Sequence, residues 1–325
     1  MVIFMNNKLK AVILDGYTEN PGDLSWDNTA KLCDLTVYDR TPDELVIERS
    51  IDADILIVNK IKLTREIIEK LPKLKFVSTL ATGFNQIDAE ALRERNIPLS
   101  NIPAYSTNAV AQTVFAFILE SVNNVGAYTQ SVKKGDWTNC LDFCYWNKPI
   151  YELDGKTLGI IGFGKIGRRV AQLGSAFGMK VIAYTPSGKK DDADNVTFTD
   201  METVISSSDF ISVHCPLTPQ TQELINKEFI EKLKPNAVVI NTARGGVADE
   251  NAISNALKNG ELYCYCTDVL STEPPKADNP LLSAPNCFIT PHIAWAAYET
   301  RARLMGILES NIEAYLNGTP INVVN

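Results

Sequence analysis

Only two histidines occur in the 325 residues, so an imidazole that moves protons must be one of two. His292 stands in Thr290-Pro291-His292-Ile293-Ala294-Trp295, directly after the apolar run 287–290. Arg244 follows another apolar run, 237–241, in Asn241-Thr242-Ala243-Arg244-Gly245-Gly246. Glu273 lies in the proline-rich Ser271-Thr272-Glu273-Pro274-Pro275 after the strand-like 263–269. Open α/β sheets bind ligands beyond the carboxyl ends of their strands, so three such ends can deliver an imidazole, a carboxylate and a guanidinium to one crevice. Reducing a carbonyl beside a carboxylate requires a hydride donor, an acid for the oxygen and a cation for the developing negative charge. His292 would be the acid, Glu273 would hold its ring, and Arg244 would make forked hydrogen bonds to the substrate. Taken singly, each residue also fits a core or surface role; their shared placement after strands points to chemistry.

The hydride donor has its own signature. The strand-like 157–161 runs straight into Gly162-Phe163-Gly164-Lys165-Ile166-Gly167 and then a helical stretch, 168–177. Gly162 permits the tight turn, Gly164 lets backbone N–H groups approach a pyrophosphate, and Gly167 allows close helix–strand packing. The helix N-terminus offers the anion unpaired donors. The ribose-reading place about 20 residues on, usually acidic, holds Thr185. Ser187, Lys189 and Lys190 then stand where they would receive a 2′-phosphate, or the segment is a solvated turn balanced by Asp191 and Asp192. The expected cofactor is therefore NAD or NADP. The second histidine, His214 in Val213-His214-Cys215-Pro216-Leu217, lines the cofactor crevice or is a structural hydrogen-bonder. Asp268 accepts a hydrogen bond from the nicotinamide carboxamide or is a turn residue.

These loops need a scaffold. Short β-branched runs at 11–15, 35–39, 54–58 and 76–79 form one series, and 157–161, 181–185, 210–213, 237–241 and 287–290 form a second. Strands this apolar, alternating with helices, predict an α/β fold with parallel sheets covered on both faces. At about 150 residues per domain the length predicts two domains. Residues 106–134, opened by Ser106 or Thr107 and followed by Gly135, predict one helix that joins the domains and supports a dimer; its first half is apolar nearly all round. Residues 137–154 predict a loop, and 298–316 a helix ended by Gly318 and Pro320, returning to either domain.

Composition excludes other classes. Hydrophobic residues are 45% and charged residues 22%, an ordinary globular mixture. The net charge of −8 opposes nucleic acid and anionic membranes. The seven cysteines contain no Cys-x-x-Cys pair, so neither a metal site nor a disulfide framework is implied. There is no secretory-type start and no apolar run of membrane-spanning length, which predicts a cytoplasmic protein.

The sequence resembles the D-isomer-specific 2-hydroxyacid dehydrogenases over nearly its whole length. The matching stretches are Ala81-Thr82-Gly83-Phe84-Asn85 with Asp88, residues 101–107, the glycine turn 162–167, residues 214–217 with Thr221, residues 241–245 with Asp249 and Glu250, Asp268-Val269 with Glu273-Pro274, and Pro291-His292. The resemblance implies that Arg244, Glu273 and His292 are the catalytic trio. It implies that Ala81, Thr82 and Gly83 bind the substrate carboxylate together with Arg244 and His292. It implies that Thr107, Thr242, Ala243 and Asp268 hold the nicotinamide end, and that His214, Cys215, Pro216 and Thr221 line the cofactor. It implies two Rossmann-like domains: a flavodoxin-like substrate domain of 1–104 and 296–325, and an NAD(P)-binding domain of 105–295, in a homodimer. Two departures stand out: Gln112 replaces a common Glu, and Thr185 replaces the usual Asp. Glu273 opposes the formate dehydrogenase branch, which uses Gln there. The general run is most similar to the glycerate dehydrogenase, or hydroxypyruvate reductase, branch. The expected function is interconversion of a small D-2-hydroxy acid and its 2-oxo acid, glycerate/hydroxypyruvate or glycolate/glyoxylate. The alternative is a cofactor-responsive corepressor-like scaffold on the same fold.

Overall fold

The computed structural model describes residues 8–186 and 195–325. Ser187, Lys189, Lys190, Asp191 and Asp192 lie outside the described residues. The chain divides into two compact units, Met1–Tyr105 with Ala296–Asn325, and Ser106–Trp295.

In the first unit, β1 (Lys10–Ile13), β2 (Asp34–Val37), β3 (Ile55–Val58), β4 (Phe76–Thr79) and β5 (Leu99–Ser100) form a sheet in the order β2-β1-β3-β4-β5. Every pairing is parallel, and the order is the flavodoxin-like one. β3 and β4 are buried along their whole lengths, as befits strands covered by helices on both faces. The last helix, Tyr298–Leu316, belongs to this unit, where Tyr315 stacks on Phe76 with ring centroids 4.5 Å apart. The chain end is stitched to β5: Asn325 accepts from the Leu99 N–H and donates to the Ile97 carbonyl, both at 2.8 Å.

One polar group in this unit is buried against expectation. The Glu19 side chain has no exposure; it accepts from Asn59 Nδ2 at 2.6 Å and from Thr18 Oγ1 at 2.9 Å. Burial pushes its carboxyl up to about 8, so it is protonated at neutral pH. Arg301 donates to the Glu19 backbone carbonyl and forks onto Asp23 at 2.8 and 2.6 Å.

The second unit contains β6 (Thr157–Ile161), β7 (Lys180–Tyr184), β8 (Val196–Phe198), β9 (Phe210–Val213), β10 (Val238–Asn241), β11 (Cys264–Thr267) and β12 (Cys287–Ile289). Their order, β12-β11-β10-β9-β6-β7-β8, is the Rossmann order with one added strand, again wholly parallel. Side chains alternate between two cores: Val238 and Ile240 pack with Val114 and Val170 on one face, while Val239 packs with Phe229 and Ile253 on the other.

Two expectations need correction. The stretch expected as one helix over 106–134 is two helices, Thr107–Asn123 and Val125–Lys133. The break is Asn124 at φ 51°, a left-handed conformation that asparagine tolerates better than most residues. Ser106 precedes the first helix without a side-chain capping bond. β5 and β8, of two and three residues, are too short for a periodic signal and were not foreseen.

Candidate active site

One row of residues organises the carboxyl edge of the second sheet. Ile289, Thr267, Asn241, Val213, Ile161 and Tyr184 are successive register partners across β12, β11, β10, β9, β6 and β7. The next residue on each strand is therefore Thr290, Asp268, Thr242, His214, Gly162 or Thr185. The chain runs from β6 outward through β7 and β8, then returns to β9 on β6's other side. That topological switch point is where such sheets take ligands.

Gly162 sits at the switch with φ 96°, and a Cβ there would lie 2.7 Å from the His214 carbonyl carbon. A side chain on Gly167 would lie 2.4 Å from the Gly162 oxygen, so both positions require glycine for packing. Gly164 differs, because nothing lies within 4 Å of its would-be Cβ. It caps the Lys165–Ala176 helix without a side-chain bond, so the first turn, with Lys165 and Ile166, presents backbone donors to open space. Phe163 is buried edge-on against Phe198. Thr242 Oγ1 is buried without a hydrogen-bond partner among the described residues. An open glycine, an uncapped helix start and an orphaned hydroxyl are what a dinucleotide's pyrophosphate and carboxamide require, so these residues fit NAD(P).

The expected trio all belongs to this unit. His292 Nδ1 donates to Glu273 Oε2 at 2.6 Å, since an ionised carboxylate can only accept. Both side chains are about a third exposed, 30% and 35%, leaving Nε2 for a substrate. The other Glu273 oxygen accepts the Leu270 N–H at 3.0 Å. Arg244 is set by Asn241, whose side chain donates to the Arg244 carbonyl and accepts from the Ala243 N–H, each at 3.0 Å. Its guanidinium is exposed, and one of its N–H groups donates to the Ala243 carbonyl at 2.7 Å. A Cβ on Gly245 would lie 1.9 Å from the Leu270 carbonyl carbon, so the Arg244 loop runs directly against the loop that carries Glu273.

His214 is chemically different. Its Nε2 pairs with Ser212 Oγ at 2.8 Å, and burial pushes the imidazolium down to about 4. At neutral pH its imidazole is therefore uncharged. Beyond it, the buried Cys215 and Pro216 lead to Thr221, whose hydroxyl donates to the Pro216 carbonyl at 2.6 Å and so ties its own loop. Thr107 opens the Thr107–Asn123 helix, and Thr185 is the first residue past β7 and the row. In the first unit, Ala81, Thr82 and Gly83 follow β4; Thr82 Oγ1 donates to the Ile102 carbonyl at 2.7 Å, and the Ala81 carbonyl accepts from the Ile102 N–H.

Asp268 is used in an unforeseen way. Its buried carboxylate accepts from Thr290 Oγ1 at 2.6 Å and from the Ile293 and Ala294 N–H groups, both at 2.8 Å. Only one of its four lone-pair directions stays open for a nicotinamide. No spacing rule announces such a tie between distant loops.

A dinucleotide cradle and an imidazole–carboxylate pair on one sheet edge define an NAD(P)-linked oxidoreductase. Residues 115–294 match the family described as "D-isomer specific 2-hydroxyacid dehydrogenase, NAD binding domain". The chain belongs to that family. It is 45% identical over 323 residues to a hydroxypyruvate reductase of Blautia hydrogenotrophica, covering 98% of this chain and 100% of that one. It is 40% identical over 286 residues to a glycerate dehydrogenase of Methylorubrum extorquens, covering 87% and 89%. Among solved structures, an acyclic imino acid reductase in complex with NADPH and D-Arg superposes with a TM-score of 0.85 at 34% identity, covering 98% and 100%. All three are enzymes, which gives the corepressor-like alternative no support.

Proposed function

We propose that this chain reduces hydroxypyruvate, and the smaller glyoxylate, to the D-2-hydroxy acid with NADH or NADPH, and runs the reverse oxidation. The 2.6 Å contact of His292 with Glu273 at the row of strand ends carries the reading. The names of the two sequence relatives support the substrate class. Held by the Gly162–Gly167 turn and Thr242, a reduced nicotinamide cofactor would supply the hydride for the substrate C2. His292, protonated, gives the proton on Nε2 to the carbonyl oxygen and becomes neutral. Glu273 fixes the ring through Nδ1 and balances the imidazolium charge. Arg244 holds the substrate carboxylate and polarises the carbonyl with its forked donors. Thr242 would give its unsatisfied hydroxyl to the nicotinamide. On this reading the first unit is the substrate domain and the second the NAD(P)-binding domain.

The test is direct. Purified protein should oxidise NADH or NADPH with hydroxypyruvate, and His292→Gln should lower kcat about 100- to 10,000-fold while cofactor binding persists. Near-normal turnover in that variant would sink the assignment of the proton donor.

The assembly and its location belong to the same reading. Trp137, Leu141, Phe143 and Trp146 are exposed, and an apolar groove is lined by Phe115, Ala116 and Leu119 of one helix and Leu173 of another. Surface of this kind fits a homodimer, to be checked by light scattering on the protein and on Phe143→Asp. All seven cysteines are free, which supports a reducing, cytoplasmic setting. No described helix is long and apolar enough to cross a membrane.

A further inference from the structure

We propose that Asp268 and Glu250 are positioning residues that hold the His292–Glu273 pair from its two sides. The proposal rests on the reading of His292 as proton donor. His292 has φ 54°, a left-handed backbone that histidine adopts at some cost and keeps only when its surroundings enforce it. Asp268 supplies the enforcement. Its three hydrogen bonds come from Thr290, Ile293 and Ala294, which bracket His292 before and after. A buried carboxylate, accepting only, collects these donors without needing a counter-ion, and charge assistance makes each bond stronger than a neutral one.

Glu250 acts on the partner. It lies in the first turn of the helix Glu250–Asn259, which Asp249 caps through the Asn251 and Ala252 N–H groups. Glu250 Oε1 accepts the Ser271 N–H at 2.7 Å, and Oε2 accepts Ser271 Oγ at 2.9 Å and Asn279 Nδ2 at 2.8 Å. These bonds tie down positions on both sides of Glu273. Because the Leu270 N–H donates to Glu273 Oε1, fixing Ser271 also fixes the carboxylate that orients the imidazole. With Gly245 packed against Leu270 and Ser271, the loop is held from two directions.

The experiment compares Asp268→Asn and Glu250→Gln with the unaltered protein. Each amide turns one acceptor into a donor facing an N–H or hydroxyl. Two readouts are taken: steady-state kinetics with hydroxypyruvate, and the low-field proton resonance of His292 Nδ1–H in cofactor-free protein. Expected are a fall in kcat of about 10- to 100-fold, the loss expected from misplacing a catalytic group by about 1 Å, a cofactor KM within about twofold, and loss of the resonance. Thr290→Val and Ser271→Ala each remove one side-chain donor and should move both readouts less, in the same direction; they carry the test if an amide variant does not fold. Persistence of the resonance, or unchanged kcat, overturns the proposal. A raised cofactor KM with the resonance intact would instead make Asp268 a nicotinamide ligand alone. The resonance needs no turnover, so it reports on positioning even if His292→Gln shows the proton donor to be another group.

Discussion

Glu273 divides its carboxylate between two duties: Oε2 takes the His292 Nδ1–H at 2.6 Å, and Oε1 takes the Leu270 N–H at 3.0 Å. An amide performs only one of them and carries no charge to balance an imidazolium. Glu273→Gln should therefore lower kcat for hydroxypyruvate about 10- to 100-fold, with cofactor affinity by fluorescence titration unchanged.

The three cradle glycines should respond differently. Gly164→Ala adds a methyl group into space that no protein atom occupies, so stability should fall by no more than about 1 kcal/mol. If the glycine turn holds the pyrophosphate as proposed, the same methyl would stand in its path, and Kd for NADH should rise at least about tenfold, or roughly 1.4 kcal/mol. Gly167→Ala, 2.4 Å from the Gly162 oxygen, should lower the melting temperature instead.

Thr185 stands one residue past the row on β7 and carries no charge. Thr185→Asp places a carboxylate where it accepts from ribose hydroxyls and repels a 2′-phosphate. The ratio of kcat/KM for NADH over NADPH should rise at least about tenfold, roughly 1.4 kcal/mol. Equal change with both cofactors would place Thr185 away from the ribose.

Two desolvated groups give the units opposite responses to pH. Glu19, raised to about 8 from an ordinary 4.5, stays protonated in the fold while the unfolded chain has lost its proton. The first unit should thus lose stability as pH rises through that window, by an amount on the order of 5 kcal/mol, and level off above it. Glu19→Gln should flatten that slope. His214, lowered to about 4 from 6.5, takes a proton only when unfolded, so the second unit should lose stability as pH falls from 6.5 toward 4. His214→Gln should remove this acid slope in denaturant melts.

Strands were legible because buried parallel strands are apolar runs, and the expected catalytic residues stand in the loops that follow three of them. The glycine turn likewise showed its helix and strand in the adjoining residues. What escaped notice has no local pattern. β5 and β8 take their pairing from neighbouring strands, and the helix break at Asn124 turns on one residue's backbone. The ties from Asp268 and Glu250 join residues 21 to 29 positions apart, with no periodic signature. Glu19 looked like any surface acid until folding closed around it.

Six loops, among them those that carry the candidate site residues, start from a single rung of the second sheet. The sheet thereby serves as a ruler. Deleting one residue within β10, β11 or β12 would shift a loop by about 3.3 Å and reverse the faces of its strand. Exchanging the residue just past the rung leaves the ruler untouched, so new specificities are open to this scaffold by substitution but closed to it by small insertions and deletions inside its strands.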